Sequence, residues 1–184
     1  LMSLNLYSYV DNPFTEDASF NFEKFIKHAK LSIKLMDNMI DLENEKIDKI
    51  LAKIDADPED DDIKAVEKNL WSRVKRMNNF GRRSGIGFTA LGDMLAALGI
   101  KYGTPEATAF SVEVHKTLAL AAYRSSVIMA KERGAFGVFD FEKEQGNPMI
   151  ERICEAAPEL RDLMKEYGRR NIAMLTIAPT GTTS

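Results

Sequence analysis

NIAMLTIAPTGTTS, Asn171–Ser184, is the stretch on which the reading of the fold turns. Asn171–Ala178 is almost wholly apolar and lacks polar alternation, the pattern of a strand covered on both faces of a parallel sheet. The chain then changes character. Gly181 permits a tight turn, and Thr180, Thr182, Thr183 and Ser184 offer hydroxyls. With a helix starting just after such a turn, backbone amides, hydroxyls and the positive end of a helix dipole converge on one spot, which suits a phosphate. An ordinary loop between a strand and a helix fits the same residues, so the turn alone fixes no function.

Working outward, Gly168 stops a helix that begins at Pro158, and Asn147-Pro148 begins another. AFGVFDFEKEQG reads as a loop before it. Thr104-Pro105 opens a long helix that Gly134 closes, with Thr104 as N-cap and Pro105 at the first helical position. Phe110, Val114, Leu118, Ala121 and Ile128 share one face of that helix. Ala119, Ala122, Ser126 and Ala130 form a second stripe of small residues, so cover on two sides is expected. Upstream, Ser84–Phe88 reads as a short strand in which Gly85 and Gly87 admit a close neighbour, backbone or ligand. Thr89–Leu98 reads as a helix with Gly99 as its cap.

The first hundred residues are mostly helical in pattern. SLNLYSYV, residues 3–10, carries β-formers in loose alternation, and a strand is expected over about 3–9. Phe22, Phe25, Ile26, Ala29, Ile33, Met36 and Ile40 recur at helical spacing and predict a helix from about Phe20 to Asp41. Ile47, Ile50, Leu51 and Ile54 predict a shorter second helix, broken at Asp57-Pro58. A third helix is expected from Pro58, with Ile63, Val66, Leu70, Val74 and Met77 as its apolar positions and Trp71 alongside. Glu59, Asp60, Asp61 and Asp62 then sit in its first turn, where the dipole favours negative charge. A calcium loop counted from Asp55 fails, because the sixth position is Asp60 where glycine is required.

The 184 residues are 45% hydrophobic with a net charge of -3, enough to bury a core and with no excess of positive charge to meet nucleic acid or a membrane surface. The one cysteine, Cys154, excludes an internal disulfide and a cysteine-built metal site, and a reducing, cytoplasmic compartment fits. Cys154 reads as a small core hydrophobe. His28 and His115 lack metal-ligand spacing and read as partly exposed helix residues. Asp37 and Asp41, four apart on one helix face, could bind a magnesium diphosphate, but the tandem acids of such motifs are missing. Arg82, Arg83, Arg169 and Arg170 each precede a predicted strand. Structural ion pairs are the favoured reading, and contact with a substrate's anionic end is the other.

Three stretches taken together carry a resemblance. GRRSGIGFTALGDMLAALGIKYGTPEA (Gly81–Ala107), AKERGAFGVFDF (Ala130–Phe141) and GRRNIAMLTIAPTGTTS (Gly168–Ser184) resemble the catalytic subunit of ribonucleotide reductase, in the family's order. SLNLYSYV and LMDNMIDLE are similar as well, so the likeness spans the chain. PTGTTS resembles the adenosylcobalamin-dependent (class II) form. The resemblance implies an α/β fold in which residues 1–184 are one partial domain: a helix-rich segment, long helices plus two or three strands, of a ten-stranded α/β barrel. It implies thiyl-radical reduction of ribonucleotides for DNA synthesis, with Thr180, Gly181, Thr182, Thr183 and Ser184 holding the substrate's phosphates. The implied partners are a ribonucleotide, the remainder of the reductase chain and a thioredoxin-like reductant; the implied cofactor is adenosylcobalamin. The chemistry needs further cysteines, and Cys154 lies in none of the family's catalytic motifs; no Asn-x-Cys-x-Glu occurs. No catalytic residue and no metal ligand is therefore expected in the chain. It is expected to be an internal fragment, inactive alone, whose open strand edges lead to self-association or exposed apolar patches; the alternative reading is a non-enzymatic helical interaction or regulatory module.

Overall fold

The computed structural model describes residues 1–179. Its centre is a small parallel sheet. Strand β1 (Met2–Asn5) pairs with β4 (Ile86–Thr89) in the register Met2↔Ile86 to Asn5↔Thr89. Residues 172–176 lie along the other side of β4. Ile86 donates its amide to the Met174 carbonyl (2.7 Å) and accepts from the Thr176 amide (2.9 Å), around the parallel bridge Ile86↔Leu175. The glycines make this approach possible. A Cβ on Gly87 would collide with the Thr176 carbonyl, and one on Gly85 would stand 3.0 Å from Thr176 Cγ2. The close neighbour is thus a backbone at Gly87, and at Gly85 the side chains of Leu1 and Thr176.

The strand expected over 3–9 is shorter. Asn5 Oδ1 accepts the Tyr7 amide, and Leu6–Tyr9 tightens into a 3-10 turn that buries Leu6 and Tyr9. Two-residue strands β2 (Val10–Asp11) and β3 (Ser19–Phe20) form an antiparallel ribbon. Tyr9, Phe20 and Phe25 meet there with ring centroids 5.0–6.0 Å apart. The segment expected as a strand over 171–178 is extended but only partly covered: Asn171 and Met174 are buried, whereas Ile177 is 73% exposed. Among the described residues it pairs with no strand other than β4.

Helix α1 runs unbroken from Phe22 to Ala56, in place of the two helices expected there. Phe25, Ala29, Ile33, Met36 and Ile40 continue into Asn44, Ile47 and Ile54 as one buried stripe. Asn44 bridges the polar gap in that stripe by bonding Asn79 and Asn78 of the next helix. That helix, α2 (Asp61–Gly81), starts three residues later than Pro58 and folds back on α1 as a hairpin. It ends at Gly81, and Arg82 just after it takes the left-handed conformation (φ 43°). Ile63, Val66, Leu70 and Met77, the apolar positions that predicted the helix, are exposed, and α2 has no buried residue.

The other helices follow the pattern closely. They are α3 (Leu91–Ala97), α4 (Pro105–Arg133), a single turn α5 (Phe141–Glu144) inside the expected loop, α6 (Pro148–Ala156) and α7 (Glu159–Tyr167). Thr104 Oγ1 caps α4 by accepting the Ala107 amide. Helix α4 packs on α1 along one side and on α6 and α7 along another. Ala119, Ala122, Ser126 and Ala130 are all buried, as two-sided cover requires; Ile128 is exposed instead of joining the core. No helix among the described residues is long and apolar enough to cross a membrane.

Candidate functional site

The run Gly168–Ala178 is held by a buried polar network that the sequence only hinted at. Its centre is Asp37, fully buried in the middle of α1. Oδ1 accepts from Arg82 Nε (2.8 Å) and Asn171 Nδ2 (3.0 Å); Oδ2 accepts from Arg170 Nε (3.2 Å), with the Arg133 guanidinium at 3.6 Å. Arg82 also reaches Asp41 (2.9 Å) and the Asp37 carbonyl (3.0 Å). Burial alone would raise the Asp37 pKa. The hydrogen bond and charge of Arg82, then those of Arg170, outweigh it and hold the carboxyl below its ordinary value. The same pair raises Arg82 despite its burial. A buried charge surrounded in this way is stable only with all its partners in place.

Asn171 joins this network to the sheet. Its amide donates to Ser126 Oγ (3.0 Å), whose hydroxyl donates back to Asn171 Oδ1 (2.9 Å), and its Nδ2 also reaches the Arg82 carbonyl (3.1 Å). Arg169 takes the opposite direction. It donates to the Asn171 and Ile172 carbonyls (both 2.7 Å), forks onto Glu144 (2.7 Å to each oxygen), and lies 5.6 and 5.3 Å from the Tyr123 and Phe136 ring centroids. The favoured reading of the arginines therefore holds for Arg82, Arg169 and Arg170: they are structural. Arg83 alone of the four is exposed. The magnesium reading of Asp37 and Asp41 does not stand, since Asp37 is committed to guanidinium groups and Asn171. No group of three or more His, Cys, Asp or Glu among the described residues could hold a metal ion.

The remaining candidates are local. Cys154 is buried on α6, and desolvation pushes its thiol pKa up, away from reactivity. His28 shares a hydrogen bond with Tyr9 Oη (3.1 Å); His115 Nδ1 is 2.5 Å from the Ser111 carbonyl and its ring meets Phe88 edge-on. A cleft of about 990 Å³ lies between α4, α6 and the sheet, with Ile86, Phe88, Leu118, Ile153, Leu175 and Ile177 in its walls. Among the described residues its walls carry no carboxylate; they are mostly apolar, with His115, Lys116 and Arg152 among them.

Thr180, Gly181, Thr182, Thr183 and Ser184, the expected phosphate turn, lie outside the described residues. What the network does is set the strand that leads into them. Asn171 is pinned at one end, Thr176 is registered on β4, and Pro179 follows. Sequence reasoning missed Asp37 and Asn171 as anchors. The available signal was an aspartate at a core-facing position of α1, which demands buried partners.

Comparison with known proteins bears on all of this. The family model described as "Ribonucleotide reductase, barrel domain" matches residues 1–184. The ribonucleoside-diphosphate reductase subunit alpha of Chlamydia pneumoniae is 28% identical over all of this chain and 17% of its own length. A vitamin B12-dependent ribonucleoside-diphosphate reductase of Mycobacterium tuberculosis (strain CDC 1551 / Oshkosh) is 30% identical over 67% of this chain and 15% of its own. The large chain of a Neurospora crassa reductase is 22% identical over all of this chain and 18% of its own. The chain thus spans less than a fifth of the length of these relatives.

Proposed function

This chain belongs to the ribonucleotide reductase barrel-domain family, and we propose that, within a longer reductase, it delivers the turn that holds the ribonucleotide's phosphates. The observation that carries the proposal is the registered, parallel placement of 172–176 on β4. β1, β4 and this segment run the same way, so their carboxyl ends share one edge. Ligands of parallel α/β folds bind at that edge. Pro179 leads out of it, and Thr180–Ser184 follow with hydroxyls and a glycine. Anchoring the anionic end there would orient the ribose for the radical step, a positioning contribution.

The remaining chemistry belongs elsewhere in the longer enzyme. Cys154 is buried with a raised pKa, so this chain's residues carry no thiol step. The isolated chain is accordingly inactive, and its further barrel strands, its thioredoxin-like reductant and its ribonucleotide are met only in the longer polypeptide. Adenosylcobalamin as the radical source is supported by PTGTTS and by the vitamin B12-dependent relative. The described residues do not fit that cofactor. Both histidines are engaged with neighbouring groups, and no metal-binding cluster is present among them. We assign its binding to the remainder of the enzyme and derive no step through it.

The test is ribonucleotide reduction by the longer enzyme carrying Thr182→Val with Ser184→Ala. Loss of hydrogen bonds to a charged phosphate, worth about 1.5–3 kcal/mol each, raises KM roughly 10-fold or more. An unchanged KM overturns the assignment.

A further inference from the structure

Helix α2 is built inside out. Toward α1 it presents polar groups: Lys68 pairs with Asp55, Lys75 with Asp48, and Asn78 and Asn79 bond Asn44. Its apolar residues point to solvent, with Ile63 at 48%, Val66 at 71%, Leu70 at 58% and Met77 at 64% exposure. Val74, half-buried, lies in the same stripe. The intervals along it are three, four, four and three residues. Such spacing keeps the side chains on one seam of a helix, the arrangement by which two helices interlock.

The seam is symmetric about its centre. Ile63 and Met77 lie seven residues either side of Leu70, and Val66 and Val74 four. Laid antiparallel on a second copy, Leu70 meets Leu70, Val66 meets Val74, and Ile63 meets Met77, all at matching heights over roughly 21 Å. The charge along the helix reverses across the same point. Glu59, Asp60, Asp61, Asp62 and Glu67 lie before Leu70 and outnumber Lys64 and Lys68, of which Lys68 is paired to Asp55, whereas Arg73, Lys75 and Arg76 stand in the second half of the helix. Antiparallel pairing brings the acidic end of each copy beside the basic part of the other. Parallel pairing would set like charges together. Asp61, Asp62, Arg73 and Arg76 form no salt bridge within the chain among the described residues.

We propose that the exposed seam of α2 is a self-association surface whose occupant is α2 of a second copy of this chain, antiparallel and two-fold symmetric about Leu70. Such an interface is isologous, so it closes at a dimer. It is short, one helix per copy, and falls below the size of a standard interface. Association is therefore weak, roughly micromolar, and sensitive to salt. The proposal is independent of the phosphate-turn reading, because no residue of the seam belongs to that turn.

Sedimentation velocity over a range of chain concentrations tests it, with far-UV circular dichroism confirming that each variant keeps its helix content. The wild-type chain should show a monomer–dimer equilibrium that weakens as salt rises. Leu70→Lys should abolish it, whereas Ile177→Lys, in the apolar cleft, should leave it intact. In a Cys154→Ser background, Leu70→Cys should form a disulfide-linked dimer under mild oxidation. Ile63→Cys should link to Met77→Cys when the two are mixed, and not to itself. Two charge variants, Asp61→Lys with Asp62→Lys and Arg73→Glu with Arg76→Glu, should each be monomeric and should dimerise when mixed. A chain monomeric at all concentrations, a dimer that survives Leu70→Lys, or self-linkage at Ile63→Cys overturns the proposal.

Discussion

At the scale of single residues, the side chain with the greatest reach is Asp37. It joins α1 to the end of α2 through Arg82, to the end of α4 through Arg133, and to the third sheet segment through Arg170 and Asn171. Asp37→Ala should cost about 3–5 kcal/mol in urea denaturation, since it strands buried guanidinium groups; a loss below about 1 kcal/mol would contradict the role given to it. The pH dependence follows from the sign of the shift. Asp37 has a folded pKa below its unfolded one, so its contribution is complete above about pH 4, near the ordinary carboxylate pKa, and fades as pH falls through the depressed value. Asp37→Asn should therefore flatten the acid limb of a stability–pH profile while leaving the shape above neutrality unchanged. Nothing in the sequence announced this network as a unit. A lone aspartate in an apolar stripe says that partners exist, but those at Arg82 and Asn171 are brought in only by tertiary folding.

At the scale of elements, periodicity served well where one face meets a core. It located α4, α6, α7 and the caps Thr104 and Gly168, because local spacing and cap chemistry decide those boundaries. It failed where a neighbour overrides the local pattern. The polar stretch LENEK, residues 42–46, suggested a break in α1, yet Asn44 is satisfied by Asn78 and Asn79 and the helix continues. In α2 the apolar spacing was read correctly as helical, but the spacing left its direction open: periodicity tells which residues share a face, not what that face meets. The terminal apolar run was legible as extended chain of a parallel sheet, but not its place beside β4, and the neighbours among the described residues do not complete a two-faced burial. The helical hairpin invites a measurement. α2 has no buried residue, whereas α4 is covered on two sides. In dilute solution, where monomer prevails, α2 amides should exchange with deuterium well before those of α4. Equal protection in mass-spectrometric exchange would show that the hairpin is more firmly held than its packing indicates.

At the scale of the whole molecule, helices hold a narrow sheet whose outer segment leaves Ile177 and the adjoining cleft uncovered. Exposed apolar surface of this kind is unusual in a free-standing monomer and marks a place where something packs. A solvatochromic dye should brighten on binding the chain, and Ile177→Lys together with Met149→Lys should diminish the signal; no brightening with the wild-type chain would count against an accessible cleft. The order of the strands has a different consequence, for synthesis. Met2 pairs with Ile86, and Ile86 in turn with Leu175, so each contact waits for a long stretch of polypeptide to emerge. At about 5–20 residues per second, the N-terminal strand spends on the order of ten seconds without its partner. Helices close quickly from local contacts; distant strand pairs close slowly, after their loop entropy has been overcome. The nascent chain therefore passes through a period as a helical body with loose ribbons, and the ribosome's pace, more than the final geometry, sets how long those ribbons remain open to mispairing.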